Sequence, residues 1–142
     1  MKIIQFSILL LVVLALSFSC KKKPQAGYRL VQAGESFELM LNESAKLDGE
    51  DLKITFTEVL EDSRCPEGTD CFWAGEVKIA VKANTGNRTY QLALSREGKQ
   101  TGEVTQNAGD FRIALQEVNP YPKQNHKISP EDYKIKLAAA KK

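Results

Sequence analysis

The side chains with the most chemistry in this chain gather in one stretch, Glu61-Asp62-Ser63-Arg64-Cys65-Pro66-Glu67-Gly68-Thr69-Asp70-Cys71-Phe72-Trp73-Ala74-Gly75-Glu76. It holds two thiols, a guanidinium, several carboxylates and the only tryptophan. Each chemistry these groups suggest meets a limit. Two thiolates do not complete a zinc site, and the only histidine, His126, lies in a distant proline-rich segment. Calcium takes roughly six to eight oxygens. Glu61, Asp62, Glu67 and Asp70 offer carboxylates, but their spacing matches no EF-hand-like loop. Nucleophilic catalysis needs a base beside the nucleophile and a third group to orient it, and a lone histidine gives no sign of that assembly. Glycoside hydrolysis asks for two carboxylates held at a set distance, and nothing in the sequence pairs the acids in space. The expectation is no catalytic residue, no metal, no cofactor and no enzyme.

The third cysteine, Cys20, closes Leu16-Ser17-Phe18-Ser19-Cys20 and is followed by Lys21-Lys22-Lys23. Lys2 supplies a positive start, Ile3 to Leu16 a mostly apolar run, and Ser17 and Ser19 the small residues before a cut, which is the layout of a secretory signal. The apolar run falls short of the roughly 20 residues that span a bilayer. The segment resembles a bacterial lipobox, with Leu16 one position earlier than the common pattern. That resemblance implies diacylglyceryl transfer to the Cys20 sulfur, cleavage after Ser19 and acylation of the new amine. Residues 1–19 are then a signal peptide and residues 20–27 a lipidated tether. The membrane is the expected partner, reached through two or three acyl chains, enough for stable anchoring. The expected location is the bacterial cell envelope. Because the residues after Cys20 are basic rather than acidic, the outer membrane's periplasmic face is favoured over the cell surface.

In an oxidising compartment an even pair of cysteines becomes a disulfide, so Cys65 and Cys71 are expected to be bonded. Without residues 1–19, a chain of 142 residues keeps the length of one domain with one core. The formal net charge is +2, with Lys and Arg scattered along the chain, so no basic stripe points to nucleic acid.

The elements that must carry the cysteine loop show period-two alternation. Phe37, Leu39 and Leu41 alternate with polar residues, as do Leu52, Ile54 and Phe56, with the phase breaking at Val59 and Leu60. Val77, Ile79, Val81 and Ala83 lead through Asn84-Thr85-Gly86-Asn87 to Tyr90, Leu92 and Leu94, a β-hairpin. Phe111, Ile113 and Leu115 make another strand, Tyr133, Ile135 and Leu137 the last, and Tyr28 to Val31 a short first one. The fold expected over residues 28–142 is all-β, a single antiparallel immunoglobulin-like β-sandwich of about seven strands, with a small barrel second. The tail from Leu137 to Lys142 is expected to fray, and Asn42-Glu43-Ser44 and Asn87-Arg88-Thr89 to be turns.

The cysteine loop resembles that of small bacterial envelope lipoproteins carrying D-S-R-C-P and then C-x-W-A-G-E. The resemblance implies a lipidated β-domain and supplies no mechanism. Pro66 restricts Cys65 to extended conformations, Gly68 permits a turn, and a disulfide would clamp the segment between them into a rigid knuckle. Rigid loops on β scaffolds are common binding surfaces, which makes Asp62, Arg64, Glu67, Asp70 and Trp73 a candidate interaction loop for a protein, peptide or glycan. Beside this stand plainer expectations: an intraloop ion pair for Arg64, packing of Trp73 on the disulfide, and a surface position for His126. Tyr121, between Pro120 and Pro122, offers a second rigid contact surface, beside the knuckle if connections cluster at one end. A non-catalytic binding module is the leading reading. A purely structural lipoprotein or a protease inhibitor is the alternative.

Overall fold

The computed structural model describes residues 27–142. The signal segment, Cys20 and the tether up to Ala26 lie outside the described residues. In chain order the strands are β1 (Tyr28–Val31), β2 (Ser36–Met40), β3 (Ser44–Leu47), β4 (Leu52–Asp62), β5 (Glu76–Thr85), β6 (Arg88–Glu97), β7 (Val104–Ala108), β8 (Phe111–Asn119) and β9 (Lys134–Lys141). They form a five-stranded sheet, β1-β3-β4-β5-β6, and a four-stranded sheet, β2-β9-β8-β7. No closed barrel is formed among the described residues, and the all-β sandwich is the fold.

Alternation decides which side of each strand meets the other sheet. Leu52, Ile54 and Phe56 of β4 and Val77, Ile79, Val81 and Ala83 of β5 turn inward from one sheet. Leu39, Ile113, Leu115, Ile135 and Leu137 turn inward from the other, and all are buried in one apolar cluster. Each large side chain removed from water contributes about 1.5–3 kcal/mol, which is what holds the sheets face to face.

Strand number exceeds the expected seven because β3 and β7 are weakly patterned. Ser44-Ala45-Lys46-Leu47 is too short to display a period, and Ser44 opens a strand instead of ending a turn. The turn is made by Asn42, at φ 67. β7 is an edge strand of polar residues with Ala108 alone buried, so it carries little of the hydrophobic signal. The tail does not fray. β9 runs to Lys141 because it lies between β2 and β8, with Ser36 opposite Ala138 and Arg112 opposite Ala140. Pairing with β8 throughout, and with β2 as far as Ala138, overrides the weak strand preference of the alanines.

Register shifts in the β4–β5 ladder between Phe56 and Glu58 and between Val59 and Glu61 explain the broken phase of β4. Each extra residue re-aims its neighbours. One outcome is that Leu60 faces outward, 46 % exposed.

Strand directions gather four connections at one end of the sandwich: the short β2–β3 turn, the cysteine loop between β4 and β5, the segment after β6, and the proline-rich connection between β8 and β9. The opposite end is made of short turns, at Gly34, Gly49, Gly86 and Gly109, all with positive φ.

Candidate functional site

The cysteine loop begins as a continuation of the β4–β5 ladder. Ser63 N donates to Glu76 O at 2.8 Å and Cys65 N to Ala74 O at 2.9 Å, so the two sides of the loop stay paired up to the disulfide. Gly75 makes this approach possible. Its φ is 66, and a Cβ there would stand 1.8 Å from Ser63 O. Beyond the ladder, Cys65 and Cys71 are bonded with their Cα atoms 5.9 Å apart. Closing so short a loop restricts the unfolded chain by about 2 kcal/mol. Within the ring, Thr69 Oγ1 donates to Pro66 O at 2.7 Å and Gly68 turns the chain at φ 84.

Beneath the loop lies Arg64, only 5 % exposed. Its Nε donates to Asp62 Oδ1 at 2.8 Å and its Nη2 to Asp62 Oδ2 at 2.6 Å, a two-pronged ion pair. Nη1 donates to Val118 O at 2.7 Å and Nη2 to Pro120 O at 2.9 Å, which ties the loop to the end of β8. The planar guanidinium suits this role because it presents several donors in a fixed fork. The Tyr121 ring lies against it, 4.9 Å from the Arg64 Cζ to the ring centroid. Tyr121 Oη is buried without a hydrogen-bond partner among the described residues, so the ring face serves Arg64 and the hydroxyl does not. On the other side Tyr133 Oη donates to Asp62 Oδ2 at 2.9 Å. Burial, and then this hydrogen bond to a carboxylate, push the Tyr133 phenol up to about 12.

A second seam joins the loop to the proline-rich connection. Glu67 N donates to Pro122 O at 2.9 Å and Gln124 N to Glu67 O at 3.3 Å. Between the two segments runs an open groove of about 450 Å³, with Val59, Leu60, Pro66, Pro122, Ile128 and Pro130 on its walls.

These positions revise the candidate interaction loop. Asp62 and Arg64 are not available to a partner, because their side chains are 8 % and 3 % exposed and are used up in holding the loop down. Glu67 and Asp70 are exposed. Trp73 does not pack on the disulfide. It is 75 % exposed, and Phe72 beside it is 101 % exposed. The side chains beneath the loop, Arg64 with Tyr121 and Tyr133, are engaged with Asp62 and with one another, and the disulfide sulfurs lie against Thr69. Tyr121 likewise is no outward contact surface, its ring being turned in over Arg64. His126 is exposed, and its N–H donates to Lys123 O at 3.1 Å.

Sequence reasoning passed over Phe72 as a site residue and Tyr133 as a partner of the ion pair. The only signal for Phe72 was its place next to Trp73 in a segment too short and too tightly tied to reach the core. Among the described residues no three His, Cys, Asp or Glu side chains converge as they would around a metal ion. The site is therefore a braced loop that lifts two adjacent aromatic side chains into solvent. Compared with known proteins, the chain matches no family model, no curated protein and no solved structure.

Proposed function

We propose that this chain is a lipid-anchored protein of the bacterial cell envelope, attached through Cys20 and facing the periplasm from the outer membrane. It acts without catalysis, as an interaction module whose contact surface is the disulfide-braced loop. One observation carries the reading: Phe72 and Trp73 stand exposed side by side on a loop tied down by a disulfide and two backbone seams. Large aromatic side chains dominate contact energies, and exposing two of them together is unfavourable unless something covers them. A loop held by a disulfide, a buried ion pair and two backbone seams loses little entropy on being covered. The contact is apolar at its centre, with Glu67 and Asp70 at its rim, since Asp62 and Arg64 are engaged inside.

The test is site-specific photocrosslinking in intact envelopes, with the reactive residue placed at Phe72 or, as a control, at Asn87 in the turn at the opposite end. Adducts concentrated at position 72 are expected. Equal yields at both positions would refute a contact role for the loop and leave a structural lipoprotein.

A further inference from the structure

We infer that Phe72 and Trp73 seat in the interfacial layer of the same bilayer that holds the acyl chains, which makes the cysteine knuckle the membrane-facing end of the domain. This deepens the reading of the loop as a contact surface and rests on the proposed anchoring at Cys20.

β1 pairs with β3 in parallel, β3 pairs with β4 antiparallel, and β4 runs toward the cysteine loop. β1 therefore runs away from the loop, and the chain entering β1 at Tyr28 comes from the knuckle side. Tyr28 stands opposite Ser44, Ser44 opposite Thr55 and Thr55 opposite Lys82. From Lys82 to Val77, which faces Asp62 at the loop's base, the strand rises about 3.4 Å per residue, about 17 Å in all. The chain from Cys20 to Tyr28 spans at most about 28 Å when extended. An anchor at Cys20 thus reaches past the loop's base without the chain reversing its direction.

The distribution of exposed apolar side chains agrees. Met40 and Leu60 lie at the ends of β2 and β4 nearest the knuckle, and Phe72 and Trp73 at its tip, all exposed. Among the exposed large apolar side chains of the described residues, Tyr28 stands mid-sheet and Leu30, level with Asn84, is the one toward the opposite end, whose turns expose Glu35, Asp48, Asp51 and Asp110. Trp favours the membrane interface, where an apolar ring body and a polar N–H are both accommodated. A short tether also makes that surface the partner at the highest effective concentration.

Trp73 is the only tryptophan, so the contact reports on itself. The processed, acylated chain is reconstituted into phosphatidylethanolamine–phosphatidylglycerol vesicles with brominated or ordinary acyl chains. The expected result is a blue shift of Trp73 emission in ordinary vesicles and loss of that emission in brominated ones. Phe72→Asp restores emission while the chain still floats with the vesicles. Emission equal in both vesicle types, with the chain still floating, overturns the inference and leaves the anchoring intact. A chain that does not float removes the anchoring and the inference with it. Emission unmoved by vesicles but shifted by envelope protein or glycan assigns the tip to that partner and overturns the inference.

Discussion

Replacing Arg64 by methionine tests the architecture of the knuckle most directly. The change keeps an unbranched apolar stem and deletes four side-chain hydrogen bonds, two to Asp62 and one each to Val118 O and Pro120 O. The Asp62 carboxylate, 8 % exposed, then has no counter-charge. Breaking a buried pair from one side costs about 3–5 kcal/mol, whereas an exposed pair contributes about 0–1 kcal/mol. Domain stability as a whole is about 5–15 kcal/mol, so a large share is at stake. With a urea slope of about 1–3 kcal/mol per M, a loss of about 4 kcal/mol lowers the unfolding midpoint by at least about 1.3 M. Far-ultraviolet circular dichroism is the suitable probe, since Trp73 is already exposed in the folded state. Combining Arg64→Met with Asp62→Leu removes both charges and should recover part of the loss. A cost under about 1 kcal/mol for Arg64→Met, the range of an exposed pair, or a double variant as unstable as the sum of the single changes, would refute a buried, structural ion pair.

Gly75→Ala places a Cβ against Ser63 O at positive φ and should destabilise by several kcal/mol, whereas Gly34→Ala, at φ 81 with open space around it, should cost about 1–2 kcal/mol. Thermal unfolding of the two variants side by side checks the difference. The Tyr133 phenol keeps its proton to about 12 in the folded chain, while an unfolded tyrosine ionises near 10. Above about pH 10 the unfolded state therefore binds fewer protons, so this contribution is full below that pH and is lost as pH rises through about 12. Tyr133→Phe should abolish that part of the alkaline loss and cost about 1 kcal/mol at neutral pH, as measured by urea unfolding across a pH series.

The sandwich was legible wherever a strand is long and has one face on the core, as in β4, β5 and β8. The hairpin through Gly86 was legible for the same reason, with its turn residues in plain view. It was illegible where pairing rather than pattern makes the strand. β3 is too short, β7 is a polar edge, and the alanines of β9 take their conformation from β8, joined by β2 as far as Ala138. At the site, the pairing of Cys65 with Cys71 and the nearness of Arg64 to acids were local and readable. What turned Arg64 inward was not, because Val118, Pro120, Tyr121 and Tyr133 arrive from more than fifty residues away. Trp73 was misplaced for a related reason. An aromatic two residues past a disulfide need not pack on it, and here the sulfurs meet Thr69 within their own ring while Trp73 stands in solvent.

The position of β9 bears on how the protein must be made. β2 has its partner in a strand far later in the chain, with Ser36 opposite Ala138, so β2 cannot join the four-stranded sheet before β9 is present. Sequence-distant pairings of this kind slow folding and leave edges open in the meantime. A chain emerging from its N-terminus carries β2 unpaired until β9 follows it, and only then can the two strands close their side of the sandwich.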